Sequence, residues 1–216
     1  MNTFHVGRQF AGRLAIVLTG IVLLALAIAA TIGFGPSSIE EGPLERGQEI
    51  ILGATVVFFI GATIWQRGAG RLASFGLVLL GIVFFLRELE LPVRGPVTAY
   101  LNTDAFRLHE TIAILALLLP YLALRLRLLP EFWSYAVKLR GWPFVVAAVL
   151  VLLGAAAEAS VPHLPMPELG VFLEETFETL GYAVLLCLSV HVFGAALRQN
   201  AGAAEDPRSC LATPRR

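Results

Sequence analysis

Residues 168–198 read ELGVFLEETFETLGYAVLLCLSVHVFGAALR, and this stretch decides the fold. Residues 179–197 carry no Asp, Glu, Lys or Arg over 19 positions. A helix rises 1.5 Å per residue, so about 20 residues cross the hydrocarbon of a bilayer. The first half of the stretch carries Glu174, Glu175 and Glu178. Acidic groups this close to hydrocarbon are costly, so they need partners or a purpose. The length of the uncharged run predicts Glu178 just inside the membrane boundary, with Glu174 and Glu175 at headgroup level. Glu174 and Glu178 are four apart and share a helix face, while Glu175 points about 100° aside.

Working outward, the composition agrees with this membrane reading. The chain has 216 residues, 57% of them hydrophobic and 15% charged. Soluble domains carry about 25% charged residues, so a polytopic all-α membrane protein is expected. A single six-helix transmembrane domain over residues 1–200 fits the length, followed by a disordered cytoplasmic tail at 201–216. The formal net charge is zero, which argues against a nucleic-acid partner and leaves the lipid bilayer as the expected surroundings. Cys187 lies in the last apolar run and Cys210 in the polar tail, so no disulfide, zinc or iron–sulfur spacing arises.

Six runs read as spans. The first is Leu14 to Phe34. Arg8, Arg13 and the small residues Ala27-Ile28-Ala29 also suit a cleaved signal peptide, but signal apolar regions run about 7–15 residues, so a retained anchor is favoured. Gly35 to Gln48 reads as a polar loop with Glu40, Glu41 and Glu45. Arg46 to Trp65 and Arg71 to Leu91 are the next spans, the latter ending in Arg87-Glu88-Leu89-Glu90 and stopped by Pro92. Asn102 to Asp104 offers caps for a fourth span over Phe106 to Leu124, in which Pro120 suggests a kink. Pro130 to Arg140 mixes Phe132, Trp133 and Tyr135 with Lys138 and Arg140, the composition of a short cytoplasmic interfacial helix. Trp142 to Ala157 is the fifth span, and the opening stretch supplies the sixth.

Basic residues set the orientation. With both termini cytoplasmic, 12 of the 16 Lys and Arg fall inside: Arg8, Arg13, Arg67, Arg71, Arg125, Arg127, Lys138, Arg140, Arg198, Arg208, Arg215 and Arg216. Acids run the opposite way, since Glu131, Glu205 and Asp206 are inside and the other 13 of 16 are outside or in outer helix ends.

The outer ends gather Glu49, Glu88, Glu90, His109, Glu110, Glu158, Glu174, Glu175 and Glu178. Three readings follow. The acids pair with Arg46, Arg87, Arg94 and Arg107 as ionic packing of helix ends, in a structural or assembly protein with another membrane protein as partner. Alternatively, Glu174, Glu178, His109 and Glu110 are catalytic groups. In that case Glu88, Glu90, His109, Glu174, Glu175 and Glu178 hold a divalent transition metal for hydrolysis at the outer face. The third reading is passage of an ion or small solute, against which the inner halves offer little polar path beyond His191. His191 itself is expected to be neutral and bonded to a backbone carbonyl. The four histidines, His5, His109, His163 and His191, are spread over both faces, so bis-histidine haem is rejected, and no nucleotide is expected either. Nothing marks Ser189 or Cys187 as a nucleophile.

Three stretches taken together, EGPLERGQEI at 41–50, FFLRELELP at 84–92 and FLEETFETLG at 172–181, resemble uncharacterised bacterial multi-pass inner-membrane proteins. The likeness covers about a quarter of the chain. It implies a bacterial plasma (inner) membrane and treats the glutamates as a set, and it implies no activity. The histidine pair of membrane hydrolases related to alkaline ceramidase is missing.

Overall fold

The apolar runs fold as helices throughout. The structure, a computed structural model, describes residues 2–37, 42–89, 94–137 and 141–205. Its helices are α1 (Arg8–Ile32), α2 (Phe34–Ser37), α3 (Pro43–Trp65), α4 (Gly68–Glu88), α5 (Pro96–Leu101), α6 (Asp104–Ala123), α7 (Leu129–Val137), α8 (Trp142–Ser160) and α9 (Pro167–Glu205). Among the described residues there is no strand. Six of the helices, α1, α3, α4, α6, α8 and α9, are long and apolar enough to cross a membrane. Their outward faces carry Ile16, Leu23, Ile50, Ile64, Leu117 and Leu152, all exposed, which water would not tolerate over so wide an area. Expectations that fall on Glu40, Glu41, Glu90, Pro92, Lys138, Arg140 and 206–216 lie outside the described residues.

Boundaries differ from the hydropathy runs in three informative places. α1 begins at Arg8, ahead of Leu14, because backbone hydrogen bonding and not side-chain apolarity defines a helix. α3 begins at Pro43, three residues ahead of the expected start at Arg46, so the expected loop ends sooner. Proline at the first helical position has no N–H to leave unbonded, and Glu45 in the first turn complements the helix dipole. α9 runs unbroken for 39 residues, about 58 Å at 1.5 Å per residue. It therefore outruns a bilayer, and residues 201–205, expected in the tail, continue it. At α6 the expected cap is realised by Thr103, whose hydroxyl accepts from the Phe106 N–H, and the helix continues through Pro120.

α9 is the centre. It packs most closely against α3 and α8, with α1 laid more lightly against it, while α4 packs along α3 and reaches α9 at the acidic end. Leu180, Tyr182, Ala183, Val184, Leu185, Leu188, Val192 and Ala196 are all buried along it. Glycines bring the axes close: a Cβ on Gly181 would stand 3.2 Å from the Ala147 carbonyl oxygen of α8, and one on Gly81 of α4 would stand 2.9 Å from Val56 Cγ2 of α3. α6 is the opposite case. It buries none of its residues and touches α4 near its two ends, through Arg107 at one and a Phe75–Tyr121 ring contact at the other.

The helices alternate in direction, giving the bundle a terminal end and an acidic end. At the terminal end the turn Asn2–Phe4 is tucked into the bundle, with Phe4 fully buried against Phe144. Gln66 Nε2 donates to Thr3 Oγ1 at 2.8 Å, and Ser74 Oγ donates to Gln66 Oε1 at 2.7 Å, both buried. Arg71 donates to the carbonyls of Thr63 and Ile64 and so caps the end of α3. Ser74→Ala would leave the Gln66 acceptor unbonded in a buried site. We expect a loss of about 1–2 kcal/mol, measured by denaturant unfolding in detergent, with Thr3→Val acting in the same direction.

Candidate functional site

The acidic end is built by four helices. α4 finishes with Arg87 and Glu88, α8 brings Glu158 on its last turn, α3 brings Gln48 on its second turn, and α9 supplies Glu174, Glu175, Glu178 and Tyr182. The helical period divides the glutamates of α9 as their spacing predicts. Glu178, whose side chain is 7% exposed, accepts from Arg87 Nη2 at 2.5 Å. Glu175 turns instead to α3 and accepts from Gln48 Nε2 at 2.6 Å. The same amide donates to the Glu175 backbone carbonyl at 3.1 Å, and Thr179 Oγ1 donates to that carbonyl at 2.7 Å. Glu174 lies within electrostatic reach of Glu158, Glu178 and Glu88, with Arg87 the opposing charge.

Arg87 and Tyr182 knit the two helices. Arg87 also pairs with its neighbour Glu88 at 2.8 Å. Tyr182 Oη donates to Glu88 Oε1 at 2.8 Å and receives a longer bond from Arg87 Nη2 at 3.3 Å. Arg87, Glu88, Glu178 and Tyr182 therefore form a closed network between α4 and α9. Its charge-assisted bonds belong to the stronger class, and the low-dielectric surroundings strengthen them further. α8 closes the other side of α9 through Gly154, where a Cβ would stand 2.9 Å from Glu178 Cγ and 3.2 Å from the Glu174 carbonyl oxygen.

His109 and Glu110 take other partners. His109 Nδ1 is hydrogen bonded to the Tyr100 hydroxyl at 2.7 Å. Glu110 lies 3.9 Å from Arg107. Arg107 itself donates to the Leu86 carbonyl at 2.9 Å, so it ties α6 to the end of α4. Among the described residues, no three His, Cys, Asp or Glu are grouped so as to hold a metal ion. Glu90 lies outside the described residues. His191 is bonded through Nε2 to the His5 carbonyl at 3.2 Å, the backbone partner expected for it.

Compared with known protein families, curated proteins and solved structures, the chain matches none. The site must therefore be read from its chemistry. Three of its residues went unnoticed in the sequence. Gln48 stood where the expected loop and the expected span overlap, with nothing to mark it as a partner of Glu175. Tyr182 sits one turn after Glu178, an i, i+4 relation that marks a shared face. Gly154 gives no sign of its role until α8 and α9 are seen together.

Proposed function

We propose that this chain is a small multi-pass protein of a bacterial plasma membrane, with both termini cytoplasmic, α7 lying along the inner interface and the acidic end facing outward. Its charged cluster serves ionic packing of helix ends, in a structural or assembly role. The observation that carries this reading is the network of Arg87, Glu88, Glu178 and Tyr182, in which both carboxylates are bonded between helices. The asymmetry of basic and acidic residues supports the orientation. α6, bound near its two ends and otherwise unburied, offers a face for another membrane protein. 

The test compares detergent-purified wild type with a Glu174→Gln/Glu178→Gln variant, reading unfolding and transition-metal content together. We expect the variant to unfold about 1–3 kcal/mol more easily, with metal content unchanged. A stoichiometric transition metal lost in the variant would replace this reading with that of a metal-assisted hydrolase at the outer face.

A further inference from the structure

The Gln48 side chain holds an unmet acceptor inside the acidic end. Gln48 is fully buried, and its Oε1 has no hydrogen-bond partner. Its amide orientation is fixed, because Nε2 faces the Glu175 backbone carbonyl at 3.1 Å and a carbonyl can only accept. Turning the amide over would set two acceptors against each other. Oε1 therefore needs a donor or a cation from elsewhere. The C=O and C–N bonds of one amide, about 1.23 and 1.33 Å, keep its O and N roughly 2.3 Å apart. Nε2 lies 2.6 Å from Glu175 Oε2, so Oε1 stands within about 5 Å of that carboxylate oxygen. One small ligand can touch both.

The surrounding charge selects the ligand. Glu175 lies within electrostatic reach of Glu88, Glu174 and Glu178, and Glu158 is in reach of the latter two. Arg87 supplies one positive charge against these and is already bonded to Glu178 and Glu88. Water would satisfy the Gln48 acceptor alone, whereas a cation would also answer an ionised Glu175 carboxylate. A carboxamide oxygen and a carboxylate are hard ligands that suit sodium or calcium better than a soft transition metal.

We propose that Gln48 Oε1 and the Glu175 carboxylate bind one small hard cation of the sodium or calcium class, with water completing its shell. The inference stands apart from the strut reading, since it uses Gln48 and Glu175 and not the Arg87–Glu178 bond. It is tested by equilibrium binding of radioactive sodium and calcium to the full-length protein in detergent, with choline chloride holding ionic strength constant. Saturable binding of one ion per chain is expected, with sodium and calcium competing arms that name the ion. Gln48→Leu and Glu175→Gln should each weaken it about tenfold or more while the protein stays monodisperse. Absence of saturable binding of either ion to wild type overturns the proposal, as does binding that either folded variant leaves unchanged. If one variant does not fold, the other carries the test of the site.

Discussion

Replacing Arg87 with methionine is expected to destabilise the protein by about 2–3 kcal/mol, read from denaturant unfolding in detergent. The cost arises on α9 and not on α4. Glu178 is 7% exposed and loses its cationic partner, while Glu88 keeps the Tyr182 hydroxyl. Removing one member of a fully buried pair costs about 3–5 kcal/mol, and the half-exposed Arg87 end of this pair places the value below that range. Methionine keeps much of the apolar stem, so packing changes little. Tyr182→Phe, which removes the donor to Glu88 and the longer bond accepted from Arg87, should cost about 1 kcal/mol in the same assay.

The other large effect is steric. Gly154→Val would drive a side chain into Glu178 Cγ at 2.9 Å and the Glu174 carbonyl at 3.2 Å. The glutamate side chain can rotate, but the α9 backbone cannot move without shifting its contact on α3. We expect a loss of about 2–3 kcal/mol. Gly181→Val, set against Val151 Cγ2 and the Ala147 carbonyl, should behave alike. Gly76→Ala is the contrast: a Cβ there meets nothing within 4 Å, so alanine should stabilise α4 by about 0.5–1 kcal/mol through helix propensity. If all three glycines responded equally, close approach of α8 and α9 would not be what Gly154 provides.

The spans were legible because membrane crossing leaves a strong local record. An uncharged run such as 179–197 needs no knowledge of neighbours to be read. The division of labour among Glu174, Glu175 and Glu178 was partly legible for the same reason, since helical period alone sends Glu175 a different way from its neighbours. Their partners were not. Whether Glu178 meets Arg87, or Glu175 meets Gln48, depends on which helices neighbour α9, and these contacts span 91 and 127 residues of sequence. The same blindness grouped His109 with the acids. It shares their end of the bundle by topology, yet its bond is to Tyr100, nine residues away.

A double-mutant cycle on Arg87→Met and Glu178→Gln reports whether bonds between helices hold the acidic end together. The double variant is expected to be less destabilised than the sum of the single variants, by about 1–2 kcal/mol, because each single change leaves a partner stranded. Strict additivity of the two losses would contradict it, and would mean that the 2.5 Å contact between these side chains contributes nothing to holding α4 against α9.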